Sequence, residues 1–344
     1  MENKFLDTLN GNPQDVPPIW FMRQAGRHLP EYLKVRESAK DFIDFCLSPE
    51  KATEVTLQPV RRYDMDAAIL FADILLIPLA LGQDVSFKTG IGPVLEPLAV
   101  HDIQGLDPTD STDKISNVYE TVSKVRNGLS KDKALIGFCG GPWTVATYML
   151  EGKGTHNKET AKRFAYENPQ EMETLLNCLS IASADYLIGQ AKAGADALKI
   201  FESWAEGLTP YQFETLVISP TQMIIERVRA AGIDVPIIGF PRGAGSKVVD
   251  YSQATGVNAL AIGSDMSLQT VRSHIGVDTV LQGNLDPLAL RIGGTVLEEA
   301  VDRVLKDASG PHIFNLGHGV TPDVKIENVH AVIRHVRTGE RNYV

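Results

Sequence analysis

The sequence predicts an α/β protein, a single-domain (β/α)8 TIM barrel over residues 1–344 with its active-site cleft at the C-terminal ends of the strands, on three observations. Eight short apolar runs alternate with helix-length segments. No low-complexity linker or composition shift divides the chain, and polar side chains follow the runs at their C-terminal ends. A chain of 344 residues suits one such barrel, and 43% hydrophobic residues suffice for its core. A doubly wound open sheet accommodates the same strand count, because counting strands does not prove closure.

The runs are 19–22, 67–71, 135–138, 197–201, 236–240, 259–262, 280–281 and 313–316. Between them, Ser48 before Pro49 and Ser219 before Pro220 read as N-caps with proline at the first helical position. Asn168, Pro169 and Glu171 read as a cap whose third residue reaches back to it. Gly194 and Gly232 are expected helix stops, and residues 84–97, around Thr89 to Gly92, are expected to form a hairpin on the barrel. Just past the runs stand Arg23 and Arg27, Asp73, Gly140 to Trp143 with Tyr148, Glu202 to Trp204, Arg242, Asp265, Asn284 and His318.

Acidic residues number 43 against 33 basic ones, a net charge of −10, which argues against nucleic acid as a partner. A small polyanion stays possible, since a few focused arginines outweigh a diffuse negative surface at short range. The N-terminal residues carry acids and no long apolar core, so no secretory signal is expected. The most apolar stretch, 67–82, is shorter than a bilayer span and is broken by Asp73 and Pro78. Three scattered cysteines, Cys46, Cys139 and Cys178, suit a reduced cytoplasm, and no metal-ligand spacing such as C-x-x-C or H-x-x-x-H occurs.

Two stretches carry the chemistry. PPIWFMRQAGR, residues 17–27, passes from an apolar run into Arg23 and Arg27 around Gln24, Ala25 and Gly26. A guanidinium keeps its charge, so each must find a partner or an anion, and a glycine between them lets backbone approach a ligand. FADILLIP sets Asp73 inside an apolar run, where a carboxylate costs several kcal/mol unless donors reach it. Two readings stand: an ion pair with Arg23 or Arg27, or an acceptor for the N–H groups or developing cation of a ligand.

PPIWFMRQAGR, LPEY, LQPVRRYDMDAAILFADIL and GFCGGPWTVATYML together resemble the uroporphyrinogen decarboxylase family of the tetrapyrrole pathway, from about Asn12 to the terminal helix. The resemblance implies a single-domain (β/α)8 barrel, usually dimeric, with no metal or organic cofactor. The implied reaction converts the four acetate arms of uroporphyrinogen to methyl groups, giving coproporphyrinogen and CO2. It also implies that Asp73 accepts from the pyrrole N–H groups, and that Arg23, Gln24, Ala25, Gly26, Arg27, Phe42, Tyr148, Ser203 and His318 contact the substrate. Arg36 is a further candidate. Arg23 and His318 remain alternative proton donors, the first a poor acid and the second an imidazole in the turn NLGHG.

Three rivals are testable. Zinc-dependent corrinoid methyltransferases need a His-x-Cys pair, and none of the eight histidines here is followed two residues later by cysteine. A phosphosugar barrel would use Gly317 to Gly319 and Thr321-Pro322 for a phosphate. A non-catalytic tetrapyrrole carrier would use the arginines and gain nothing from Asp73.

Overall fold

The computed structural model describes residues 3–88, 90–155 and 157–339. Its strands are β1 (Ala67–Ile69), β2 (Val85–Lys88), β3 (Gly92–Leu95), β4 (Ala134–Gly140), β5 (Ala197–Glu202), β6 (Ile237–Pro241), β7 (Ala259–Ala261), β8 (Val280–Leu285) and β9 (His312–Leu316). Seven of them form one parallel sheet in the order β1-β4-β5-β6-β7-β8-β9, each pair separated by helical segments. Helices therefore cover the sheet, and strands buried on both faces read as continuous apolar runs. That is why seven of the eight expected runs became strands.

The eighth run is different. Ile19 makes an isolated parallel bridge to Phe314 of β9, with Trp20 N–H donating to Phe314 O at 3.4 Å and Phe314 N–H to Pro18 O at 2.9 Å. On its other side Asp66 N–H donates to Ile19 O at 2.9 Å, and the Asp66 carboxylate accepts from Ile19 N–H at 2.8 Å. Residues 18–20 thus lie between the two edge strands. The pairing ends there because the chain turns at once, Gln24 N–H donating to Phe21 O at 3.1 Å.

The expected hairpin is present as β2 and β3, paired from Val85 opposite Leu95 to Lys88 opposite Gly92; Thr89 lies outside the described residues. Gly194 and Gly232, at φ +117° and +76°, end their helices as expected. The caps need correction. Helices Pro49–Tyr63 and Pro169–Lys192 start after Ser48 and Asn168, but neither side chain bonds a helix N–H. Ser219 and Pro220 do not open a helix, which begins at Pro210 with a capping box between Thr209 and Gln212. It continues through a wide i→i+5 turn, Glu214–Ile218, into Ser219–Ala230, so the missing N–H of Pro220 falls where the ladder is already displaced. Among the described residues no helix is long and apolar enough to cross a membrane.

Lys199 is the exception inside the sheet. It is fully buried on β5, its amine has no hydrogen-bond partner, and Nζ lies 5.0, 4.9 and 5.1 Å from the ring centroids of Trp20, Phe201 and Phe240. Burial drives its pKa well below the ordinary lysine value, against the attraction of the ring faces for a cation. The unfolded chain then binds a proton that the folded chain does not, so this residue's cost to stability falls as pH rises toward about 10.4. Lys199→Met should raise stability by at least about 1 kcal/mol at pH 7, with the gain shrinking at pH 9 in urea denaturation. A loss of stability at both pH values would show that the amine has a favourable partner.

Candidate active site

Asp73 stands four residues beyond β1. Phe71 N–H, bonded to Thr56 Oγ1 at 3.0 Å, anchors the approach, and Asp73 Oδ1 accepts from Leu75 N–H at 2.9 Å in an Asx turn that starts the next helix. Among the described residues no ion pair within 4.0 Å includes Asp73, so of the two readings the lock onto Arg23 or Arg27 is not formed. The side chain is half-buried. Burial raises its carboxyl to about 6, held back by the Leu75 N–H and by the charge of Arg23. One oxygen is spent on the turn, and the other has no hydrogen-bond donor among the described residues.

Arg23 is near enough to act on Asp73 and is kept from pairing with it. Its backbone adopts φ +60°, a left-handed conformation that costs an arginine on the order of 1 kcal/mol and is over-determined by its surroundings. Val320 N–H donates to Met22 O at 2.9 Å. The buried Gln24 amide spans the turn, accepting from Phe21 N–H at 3.1 Å and donating to Ala67 O at 3.0 Å. The Arg23 stem runs along Gly319, where a Cβ would lie 2.5 Å from Arg23 Cδ. The Gln24 side chain is thus the internal brace of the loop. Arg23 and Arg27 are exposed, and Ala25 and Gly26 are half-buried between them.

His318 follows β9 beside this loop. Its Nδ1 accepts from Gly319 N–H at 2.6 Å, which puts the ring proton on Nε2. Burial, with Arg23 and Arg242 nearby, lowers its pKa to about 4. In the substrate-free protein the ring is held toward its neutral form, and its Nε2–H can donate one hydrogen bond. The same geometry counts against a phosphate loop: Gly319 is filled by Arg23, and the Thr321 hydroxyl bonds Asp323 at 2.6 Å.

Tyr148 comes from the helix Pro142–Glu151 after β4 and stacks on Trp204, centroids 4.1 Å apart. Burial lifts its hydroxyl to about 12; Asp73 pushes the same way, and Arg23 and Arg242 oppose it. The charges of Asp73, Arg23 and Arg242 thus reach Tyr148, and those of Arg23 and Arg242 also reach His318, which groups the five side chains at one end of the sheet. Ser203 joins them at the end of β5, its carbonyl accepting from Arg242 Nε at 2.9 Å. Phe42 is half-buried in an aromatic cluster, 4.5 Å from Phe87 and 5.9 Å from Phe71, with the Arg36 guanidinium 6.0 Å from its ring.

Glu202 turns the other way. It is fully buried, accepts from the Thr144 hydroxyl, and lies under Gly141, where a Cβ would collide with it. Burial raises its carboxyl to about 8, so it keeps its proton at neutral pH. Met22 and Phe240, 4% and 2% exposed, are core rather than cleft lining. Two groups went unassigned from the residues alone. Arg242 sat past a strand among many rim residues, and Lys199 was hidden in an apolar run. A separate concavity of about 410 Å³, among Glu31, Glu54, Gln58, Arg61, Arg62 and His330, has its charges already paired, Arg62 to Glu31 at 2.6 Å and Arg61 to Glu54. Among the described residues no three His, Cys, Asp or Glu side chains converge as a metal site.

The family model described as uroporphyrinogen decarboxylase (URO-D) matches residues 1–339 of the chain. The uroporphyrinogen decarboxylase of Phenylobacterium zucineum is 53% identical over 334 residues, covering 97% of this chain and 96% of that protein. That of Chelativorans sp. is 50% identical over 339 residues, covering 98% and 99%. A solved methyltransferase from Methanosarcina mazei superposes with a TM-score of 0.82 over 97% of both chains at 20% identity, a likeness of fold alone.

An acid whose pKa is raised from 3.8 to about 6 makes its full stabilising contribution below pH 4 and loses it as pH rises through 6. Asp73→Asn, which keeps the acceptor for Leu75 N–H, should therefore stabilise the protein above pH 6 by about 3 kcal/mol. Below pH 4 the two proteins should match. Thermal unfolding at pH 4 and 7.5 checks this, and equal midpoints at both would contradict an unpaired carboxylate.

Proposed function

The chain belongs to the uroporphyrinogen decarboxylase family and is a carboxy-lyase of porphyrin biosynthesis; we propose that Asp73 is the group around which its reaction is built. The substrate, uroporphyrinogen, carries eight carboxylates at its edge and four pyrrole N–H groups that can converge on one acceptor. The observation that carries the reading is an unpaired, half-buried carboxylate with an unspent oxygen, close enough to exposed Arg23 to feel its charge. The arginines hold peripheral carboxylates and Asp73 accepts from the inner N–H groups, so edge and centre are recognised by opposite charges.

Protonation of the ring carbon adjacent to the one that bears the acetate arm gives a cationic ring with positive charge at the arm-bearing carbon. The C–CO2 bond breaks, its electron pair enters that ring, and CO2 leaves. The exocyclic methylene carbon then takes a proton to become a methyl group as the ring loses its own, a net uptake of one proton per arm. The ring is its own electron sink, so the chemistry calls for no cofactor. Asp73, ionised and lowered further in pKa by the N–H donors, stabilises the cation electrostatically. With His318 neutral, the first proton comes from water polarised at Arg23, and His318 donates one hydrogen bond to the substrate. Tyr148, Ser203 and Phe42 complete the walls, with Gln24, Ala25 and Gly26 offering backbone to the ligand.

The same reading takes the sheet as a closed eight-stranded barrel, with residues 19–22 as its first strand, and the whole chain as one domain. The hydrogen bonds from 18–20 to both edge strands support closure. Cytoplasmic residence fits three buried, free cysteines, and a homodimer follows the family resemblance. The net charge of −10 favours no nucleic-acid partner.

Anaerobic incubation with uroporphyrinogen, followed by chromatography of the oxidised porphyrins, should show arms lost in turn down to the four-carboxylate product. Asp73→Asn should lower kcat by about 10²-fold or more and leave binding within about tenfold; normal decarboxylation by this variant would refute the mechanism. Arg27→Ala should raise KM by roughly tenfold, the loss of one charged hydrogen bond. Because Asp73 must be ionised and titrates at about 6, kcat/KM of the wild-type enzyme should fall on the acid side of pH 6.

A further inference from the structure

We propose that Arg242 is a further carboxylate-binding residue of the cleft, holding a peripheral carboxylate of the substrate from the β6 side; this rests on the uroporphyrinogen reading above. Arg242 follows β6 directly and is fixed at three points. Its backbone N–H donates to Glu202 O at 2.9 Å and Phe240 O at 3.0 Å, and its Nε donates to Ser203 O at 2.9 Å. The chain then turns away at Gly243, φ +75°, packed against Glu206. The two terminal nitrogens of the guanidinium are left over. Among the described residues no acid lies within 4.0 Å of Arg242; the neighbouring Glu206 pairs with Lys158 instead.

A half-buried guanidinium tethered by one nitrogen, with its fork unspent and its charge uncompensated, is built to take an anion. Its position in the cleft is independently marked, since its charge reaches both the Tyr148 hydroxyl and the His318 ring. Substrate charge requires such a group. Eight carboxylates entering a chain of net charge −10 cannot be balanced by Arg23 and Arg27 alone. The competing role is purely structural, a brace for the Ser203 carbonyl.

Arg242→Gln and Arg242→Lys separate the two. Arg242→Gln should raise KM for uroporphyrinogen at least tenfold with kcat changed less than about threefold, the loss expected for one charged contact. Arg242→Lys, which keeps the charge and loses the fork, should raise KM by about threefold. In the substrate-free protein, NMR titration should show the His318 pKa moving upward in Arg242→Gln and staying in place in Arg242→Lys. A brace alone predicts equal damage in both variants, falling on kcat, and that pattern or an unchanged KM overturns the proposal. If Arg242→Gln fails to fold, the KM of Arg242→Lys decides alone. Wild-type turnover with an inert Asp73→Asn, alongside an unchanged KM in Arg242→Gln, would sink this inference and spare the reading beneath it. Absence of wild-type turnover would sink both.

Discussion

The arrangement depends on holding a carboxylate next to guanidinium groups without letting them pair. An Asp and Arg free to meet would close into a bidentate contact, and the acid would be spent. Here Asp73 is turned toward Leu75 N–H, and Arg23 is held on a left-handed residue with its stem against Gly319. The Gln24 amide ties that loop to β1. Each of these is a local expense in conformation or desolvation, and together they leave one carboxylate oxygen for a ligand.

Charge is distributed to the same end. Arg23 and Arg27 lie exposed, while burial pushes nearby buried groups toward their uncharged forms, lowering the pKa of His318 and Lys199 and raising that of Glu202. Asp73 is left as the ionised carboxylate of the site at neutral pH. An interior with few fixed charges has a low effective dielectric, so a cationic ring placed over that carboxylate is stabilised more than it would be in water.

Much of the fold was legible because parallel strands buried on both faces must be apolar, and seven runs announce themselves in that way. The eighth run makes a single bridge because the chain leaves the sheet to build the Arg23 loop. β8 is longer than its apolar residues suggest: Gln282 and Asn284 belong to it, Gln282 Oε1 accepting from Trp20 Nε1–H at 3.2 Å and Asn284 Nδ2–H donating to Gly263 O at 2.9 Å. Tertiary partners of this kind have no local signal. Ser219 misled because a proline after a serine looks like a helix start, whereas Thr209 and Gln212 carry the cap. Within the site, Asp73 stood out as a charge in an apolar run. The side-chain directions of Gln24 and Glu202, one bracing a turn and the other buried beneath a helix, could be known only from the packing.

The most direct test is a crystal structure of the protein grown anaerobically with coproporphyrinogen. The account predicts the four pyrrole nitrogens gathered on the Asp73 carboxylate at about 2.7 to 3.2 Å, with Arg23 turned to the macrocycle's edge. A macrocycle bound elsewhere, with Asp73 ion-paired to Arg23 or Arg27, would contradict it.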